Sequence, residues 1–267
     1  MQILLGGVGR LRLVVLSALV ACTSPPVEWT GERTVRVAHS GVALSPGGTI
    51  TGDSLAPLRT RLAPPSAACT GSLQLSRSGG KLFAVWWSPR ADSSASLASA
   101  YTSDDGATWS AVVPVDITDR GMTGCARTPP SIAADAASGY VHVTYAMLAA
   151  EGPGLFFSHS MDGGASFHEP VPILYGERLG RTSVASAGDR VAVAFEDPNS
   201  RTPRIGLALS KSMGHIFEVR LVPVSDNTGA ASQPLVAVEQ HRMTVAWQER
   251  ATKDGGVVLR IRTGTFP

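Results

Sequence analysis

A short turn-like stretch recurs three times along the chain and limits its fold more than any other feature. It reads TSDDGATW from Thr102, SMDGGASF from Ser160 and SKSMGHIF from Ser210, at intervals of roughly 50 to 60 residues. In each copy a hydroxyl residue is followed by Asp or Ser, then by Gly, and three residues later by a large aromatic. Because repetition at such a period is typical of solenoids and propellers, the stretch indicates architecture before it indicates an active site.

Alternating strands of regular spacing lie between these turns. They read KLFAVWW from Lys81, YVHVTYA from Tyr140, RVAVAFE from Arg190 and RMTVAWQ from Arg242. Period-two alternation predicts β-strands, and a short strand of small residues precedes each of them while a third strand follows. In the first three repeats a fourth strand follows the turn. The sequence therefore predicts an all-β fold, a β-propeller of four to five four-stranded antiparallel blades.

The recurring turns resemble the Asp-box, or BNR, repeats of the sialidase-like β-propellers. The matching positions are Thr102, Asp104, Gly106, Trp109, Ser160, Asp162, Gly164, Phe167, Ser210, Gly214 and Phe217. The resemblance covers the chain from about Gly71 to its end. We expect the Asp to accept backbone N–H bonds, the Gly to supply a positive φ and the aromatic to pack into the blade. Ser212 replaces the Asp in the third copy, so that hairpin is expected to lose a charge-assisted hydrogen bond.

The two ends of this repeat region complement each other. The fourth repeat stops after its third strand, whereas RTVRVAHSGVAL from Arg33 is extended and belongs to no repeat. We expect residues 34–42 to pair with the C-terminal blade as its closing strand, which removes a free sheet edge. Residues 45–66 are rich in Pro, Gly and Ser and predict either a loop or part of an eroded fifth blade.

The N-terminal residues have the pattern of an export signal. Arg10 and Arg12 precede an apolar run that is too short to span a bilayer. The segment Leu19 to Cys22 resembles the lipobox of bacterial lipoproteins, which implies a lipidated Cys22, attachment to a membrane and an extracytoplasmic place in the bacterial cell envelope. The alternative is an ordinary secretory peptide with an unrelated cysteine. The expected division is a signal peptide (1–21), a tether (22–33) and the propeller (34–267).

Cysteine content and charge limit the cofactors and partners. Cys69 and Cys125 form an even pair in an exported chain and predict a disulfide, the alternative being two separate buried thiols. No zinc-binding spacing is present and the Asp-rich turn offers too few oxygens for calcium, so no metal or other cofactor is expected. A formal net charge of +2 does not indicate nucleic-acid binding, so we expect no nucleic-acid partner.

A candidate site lies on one face of the predicted propeller. Links between blades and loops between the second and third strands share the face that sialidase-like proteins use for binding, as the resemblance implies. The charged and phenolic residues of these segments are Arg120, Arg127, Arg178, Arg181, Arg201, Arg250, Tyr175, Glu177, Glu196 and Asp197. Guanidinium groups bind carboxylates bidentately, so we expect Arg127, Arg178 and Arg181, with Glu177, to bind an acidic sugar. The alternative is that these charges only solvate loop tips.

These patterns favour a binding or scaffolding module for an extracytoplasmic glycan or an envelope protein. The second candidate is an exo-sialidase-like glycoside hydrolase, with Tyr175 or Glu196 as nucleophile and Asp197 as acid. The resemblance counts against it, because the family's enzymes use six blades and begin with an arginine motif that this chain lacks. A third candidate is a subunit whose blade edges join a larger assembly. Fold by itself does not choose among these functions.

Overall fold

The computed structural model describes residues 27–36, 68–225, 229–251 and 256–267. Over these ranges it contains sixteen β-strands in four antiparallel sheets of four strands each, together with a three-residue 3-10 turn at Thr70–Ser72. The predicted all-β fold of four-stranded antiparallel blades is confirmed. Residues 45–66, the candidate for a fifth blade, lie outside the described residues.

Each blade is a meander of consecutive strands, apart from the last. The first strand in the chain is β1 (Glu28–Arg36). Blade 1 contains β2 (Gln74–Ser78), β3 (Lys81–Pro89), β4 (Ala95–Thr102) and β5 (Val113–Asp116). Blade 2 contains β6 (Ser131–Ala134), β7 (Val141–Ala149), β8 (Gly152–Ser160) and β9 (Val171–Tyr175). Blade 3 contains β10 (Thr182–Ala187), β11 (Arg190–Glu196), β12 (Ile205–Ser210) and β13 (Val219–Pro223). Blade 4 contains β14 (Gly229–Glu239), β15 (Arg242–Ala251) and β16 (Val257–Thr265), followed in space by β1.

The first strands of successive blades lie side by side. β2 contacts β6, β6 contacts β10 and β10 contacts β14. β2, β6 and β10 each contain one serine whose hydroxyl accepts a backbone N–H from the next blade. Ser76 accepts from Ala134 at 2.9 Å, Ser131 from Val184 at 3.0 Å and Ser183 from Val236 at 3.1 Å. The small residues of these strands therefore do more than allow close packing, since their hydroxyls repeat one hydrogen bond at all three junctions.

Apolar side chains fill the space between adjacent blades. Blades 1 and 2 share a core with Trp87 and Tyr145, and blades 2 and 3 share one with Phe157 and Phe195. Trp247 lies in the core between blades 3 and 4. The central strand β11 reads as a long apolar run because blade 2 covers one of its faces and blade 4 the other.

The N-terminal strand completes the last blade. β1 pairs with β16 antiparallel from Glu28 opposite Thr265 to Arg36 opposite Val258. The expected pairing of this segment with the C-terminal blade is confirmed for residues 34–36, and residues 37–42 lie outside the described residues. The strand begins at Glu28, six residues before the expected start of the propeller at residue 34. Trp29 explains the earlier start, since it packs on the core of blade 4 and its ring lies 4.8 Å from the guanidinium of Arg262.

The three recurring hairpins share one hydrogen-bond pattern. In the first, Asp104 accepts the Thr108 hydroxyl at 2.6 Å, the Thr108 N–H at 2.8 Å and the Thr102 hydroxyl at 2.7 Å. These bonds, that from the Thr108 hydroxyl above all, lower the pKa of Asp104 from 3.8 to about 2.

The third hairpin keeps this turn without the charge. The Ser212 hydroxyl accepts the Ile216 N–H at 3.1 Å, in the place that an aspartate takes in the other two copies. Gly106, Gly164 and Gly214 all have positive φ, at 94°, 87° and 87°. The expectation that a neutral serine replaces the charge-assisted bond is confirmed.

The predicted disulfide between Cys69 and Cys125 is present, with 5.3 Å between the Cα atoms. It joins the segment before blade 1 to the link between blades 1 and 2. Across the described residues no helix has the length and apolarity needed to span a bilayer, and no three His, Cys, Asp or Glu side chains are placed to hold a metal ion. The proposed signal peptide and Cys22 lie outside the described residues.

Candidate functional site

A pocket of about 230 Å³ lies where the first strands of the four blades meet, and we call it the axial pocket. Blades 1 and 2 contribute Gln74 and Ser131, blade 3 contributes residues 181–183, and blade 4 contributes residues 233–235. The remaining lining residues are Pro129, Pro130, Ala246, Trp247, Gln248 and Leu259. The links that enter β6 and β10 line it, so the axial pocket opens on the face where the sequence predicts a site.

The axial pocket is polar but nearly uncharged. Gln74, Gln233 and Gln248 bring three amides, and Arg181 brings one exposed guanidinium. Leu235 adds an apolar side chain that is 66% exposed. Among the described lining residues none is Asp, Glu, His, Cys or Tyr. The pocket can therefore donate and accept hydrogen bonds, but these residues include no group suited to general acid or base catalysis.

The carboxylate of Glu196 lies outside the axial pocket and holds the backbone of one of its walls in place. Glu196, at the end of β11, accepts the N–H of Gln233 at 2.8 Å with Oε1 and the N–H of Arg181 at 3.2 Å with Oε2. Gln233 has a φ of 54° and lies where the β14–β15 register shifts. A Cβ on Gly180 would lie 2.6 Å from the Cβ of Glu196, so this contact requires glycine. Glu196, expected as a nucleophile candidate, thus holds together backbone from blades 3 and 4.

Arg127 does not reach the axial pocket. Its guanidinium pairs with Asp119 at 2.6 Å, donates to the Thr123 hydroxyl at 2.8 Å and to the Gly121 carbonyl, and lies 5.5 Å from the ring of Trp87. Its side chain is only 7% exposed. The ligand-binding role of Arg127 stays a prediction, and in the structure the link that carries this arginine also supplies a carboxylate for it. The pair borders a pocket of about 330 Å³ that Glu177 also lines.

Of the other expected residues, three line a third pocket, and Tyr175 lies on the outermost strand of blade 2. Arg178, Glu196 and Asp197 line a pocket of about 330 Å³ beside the loop between β11 and β12. Arg178 donates to the Arg201 carbonyl at 3.2 Å. Tyr175 belongs to β9, the outermost strand of blade 2, with its ring 5.8 Å from that of Phe156. The structure thus divides the expected cluster among separate places and leaves only Arg181 in the axial pocket.

Sequence reasoning missed the uncharged residues of the site. Gln74, Gln233 and Gln248 carry no charge and belong to no repeated motif, whereas the predicted site consisted of charged and phenolic residues. Their signal is positional, since Gln74 begins the first strand of its blade and Gln233 lies in the corresponding strand of blade 4. Asp119 was also missed as the partner of Arg127, although it lies in the same link.

Comparison with known proteins gives likeness of fold only. No family model matches the chain, and no curated protein matches it. A crystal structure of a protein of unknown function from Dyadobacter fermentans DSM 18053 matches with a TM-score of 0.53 and 15% identity over 70% of this chain and 51% of that chain. The chain therefore spans about half the length of the Dyadobacter protein.

Two other solved structures match with lower TM-scores. Trypanosoma rangeli sialidase in complex with sialic acid has a TM-score of 0.47 and 13% identity, covering 69% of this chain and 36% of that chain. The GH43B protein of the Bacteroides ovatus xyloglucan PUL has a TM-score of 0.46 and 11% identity, covering 75% of this chain and 40% of that chain. At these identities the comparisons concern the fold of the chain and not its chemistry.

Proposed function

We propose that the chain is a cell-envelope lipoprotein whose Asp-box propeller binds an extracytoplasmic glycan in the axial pocket. One observation carries this proposal: all four blades line the pocket with amides, hydroxyls and one guanidinium. Amide and hydroxyl groups both donate and accept hydrogen bonds, as sugar hydroxyls require. Arg181 adds a site for a carboxylate.

Binding without hydrolysis fits this lining better than turnover does. Glycoside hydrolysis commonly needs a pair of carboxyl groups about 5 to 9 Å apart on either side of the scissile bond. The described residues of the axial pocket include no carboxyl group, and Glu196 behind its wall already accepts two backbone N–H groups. The exo-sialidase-like activity remains the second candidate, because Arg178, Glu196 and Asp197 line one neighbouring pocket.

The assignment to the cell envelope rests on sequence together with one structural feature. The lipobox-like segment ending at Cys22 supports lipidation and attachment to a membrane. The Cys69–Cys125 disulfide supports an oxidising compartment, because disulfides persist outside the cytoplasm. Incorporation of labelled fatty acid into the full chain, and its loss in Cys22→Ala, tests the anchor. Fatty acid retained by the variant would contradict it.

Glycan-array binding by the full chain, purified in detergent, tests the function directly. Arg181→Ala is expected to abolish or strongly weaken binding, because Arg181 is the only cationic side chain among the described residues of the axial pocket. The matched control is Arg201→Ala, an exposed arginine of the β11–β12 loop, which is expected to bind as the parent does.

Two further assays separate the alternatives. Turnover of a fluorogenic sialoside by the parent, lost in Glu196→Ala, would replace the binding proposal with the hydrolase. If the array shows no glycan, capture of an envelope protein by the parent but not by Arg181→Ala would give the pocket a protein ligand instead. No ligand of either class would contradict the proposal.

A further inference from the structure

Four of the six histidines gather at one junction of the propeller, on the face of the recurring hairpins. His159 is central, since its ring lies 4.8 Å from that of His168 and 4.7 Å from that of His215. The His142 ring is 6.5 Å from His159, and Tyr140 stacks on His159 at 5.8 Å. We call these four histidines and Tyr140 the histidine junction. It lies between blades 2 and 3.

The hairpin of blade 3 packs on blade 2 at this junction. His215 belongs to that hairpin, and Phe217 lies edge-on to Phe157 of β8 at 5.0 Å. A Cβ on Gly214 would lie 2.3 Å from the Phe157 ring, which shows how closely the hairpin approaches. Its other anchor is a hydrogen bond from the Met213 N–H to the Asp189 carbonyl at 2.8 Å. The rings of Phe157 and His159 are thus part of the blade 2 surface that residues 211–217 contact.

The junction between blades 1 and 2 is similar, with Phe83 and Tyr101 at the strand positions of His142 and His159, but its hairpin glycine contacts Phe83 whereas Gly214 contacts Phe157. Phe83 pairs across the sheet with Tyr101, as His142 pairs with His159, and Tyr101 and His159 each directly precede the hydroxyl residue that opens a hairpin. The hairpin of blade 2 packs on Phe83 through Gly164, whose Cβ would lie 2.9 Å from that ring. Acidification gives neither Phe83 nor Tyr101 a charge. The chain therefore contains its own matched control.

The buried histidines are held in the neutral form. Burial, together with repulsion from His159 and His215, lowers the pKa of His142 from 6.5 to about 3, and Asp135 opposes this shift. Burial and then the neighbouring His215 and His168 lower the pKa of His159 to about 4. Within the part of the chain that the structure describes, neither ring nitrogen of His142, nor Nε2 of His159, has a hydrogen-bond partner.

The other charged groups at this junction already have roles. Asp135 accepts the Gly188 N–H at 2.9 Å, and Asp189 pairs with Arg190 at 3.0 Å. Within the blade 3 hairpin, Glu218 accepts the Lys211 N–H at 3.1 Å. These contacts provide no carboxylate hydrogen bond to the imidazolium of His142 or His159.

We propose that the histidine junction is an acid-sensitive latch: acidification releases the hairpin of residues 211–217 from blade 2 while the corresponding hairpin of residues 161–167 stays bound to blade 1. Protonation would place positive charges on rings 4.7 to 6.5 Å apart, and Asp135, whose carboxylate already accepts the Gly188 N–H, offsets only part of this repulsion. Detachment of the hairpin separates His215 from His159 and lets water reach the ring nitrogens.

The direction of the pH effect follows from proton linkage. In the released state His142 and His159 take up protons near their ordinary pKa of 6.5, whereas the closed state protonates these two rings only near pH 4 and below. The closed state is therefore fully favoured above about pH 6.5, and it loses stability as the pH falls from there towards 4. The latch does not depend on the ligand of the axial pocket, so it can hold or fail independently of the proposed function.

Hydrogen exchange of the full chain at pH 7.5 and 5.0, corrected for the intrinsic exchange rates, tests the latch. Residues 211–217 are expected to lose at least tenfold in protection at pH 5.0, and residues 161–167 are expected to change little. The double variant His142→Phe, His159→Tyr copies the ring types of the first junction and is expected to remove the acid response. Equal protection of residues 211–217 at both pH values in the parent would overturn the proposal, as would an undiminished acid response in the folded double variant.

A milder variant keeps the test decisive if the double variant does not fold. His215 is exposed, so His215→Gln is expected to fold, and it removes the imidazole that lies 4.7 Å from that of His159. The pH at which the hairpin loses protection should then shift downward relative to the parent. An unchanged midpoint would show that histidine repulsion does not control release and would overturn the latch.

Discussion

At the scale of single residues, Gly214 shows how a hairpin turn and a junction between blades depend on the same position. Its φ is 87°, and an added Cβ would lie 2.3 Å from the Phe157 ring. Gly139 has a similar φ of 74° with nothing near its Cβ position. We expect Gly139→Ala to lower the unfolding free energy by about 1 kcal/mol, because alanine is strained at this positive φ. Gly214→Ala has the same strain and also overpacks against Phe157, so we expect it to lower the unfolding free energy by roughly 1 to 3 kcal/mol more than Gly139→Ala does. Urea unfolding measures both, and equal costs would contradict the close contact.

Glu196 supports a second prediction at this scale. Both of its carboxylate oxygens accept backbone N–H groups, from Gln233 and Arg181. In Glu196→Gln an amide NH₂ would face one of those donors, so we expect a loss of roughly 1 to 3 kcal/mol in unfolding free energy. Glu177→Gln, at an exposed position, is the matched control and should stay within about 0.5 kcal/mol of the parent. If the two variants are equally stable, Glu196 does not join blades 3 and 4 as described.

At the scale of elements, the disulfide stabilises the link between blades 1 and 2. Cys69 and Cys125 are 56 residues apart, and closing a loop of that length stabilises the folded state by about 4 kcal/mol on the chain-entropy model. We expect Cys69→Ser, Cys125→Ser to lower the unfolding free energy by up to this amount. A reductant should destabilise the parent and leave the double variant unchanged. A parent that is insensitive to reductant under denaturing conditions would contradict this role.

The elements were predictable from sequence to different degrees, for physical reasons. Strands and hairpins carry local signals, namely period-two alternation and the hydroxyl, acid and glycine spacing, so the blades could be assigned. The axial pocket has no such signal, because its amides come together only when four blades meet. Arg127 shows a related limit, because an arginine looks the same in sequence whether its carboxylate partner is a ligand or Asp119 of its own link.

At the scale of the whole molecule, the two ends of the described chain depend on each other through blade 4. Arg260 and Arg262 of β16 both contact Glu32 of β1, at 3.2 and 3.7 Å. Partly exposed ion pairs of this kind contribute little, so apolar contacts and backbone pairing must hold the strand. Val27 is buried in the core of this blade and Trp29 packs against it. The closing strand was predictable from the missing fourth strand, but its start at Glu28 was not, because the surrounding residues read as a polar tether.

Truncation tests this dependence. A chain that begins at residue 37 lacks β1, so it loses the apolar contacts of Val27 and Trp29 and leaves β16 as a free edge. A chain that begins at Val27 keeps the strand and is the matched control. We expect the shorter chain to lose about 3 kcal/mol of unfolding free energy, because the buried Val27 and the half-buried Trp29 are both removed, and to self-associate through its unpaired edge. Urea unfolding and sedimentation velocity measure the two effects, and a shorter chain that is as stable and as monomeric as the control would show that blade 4 needs no closing strand.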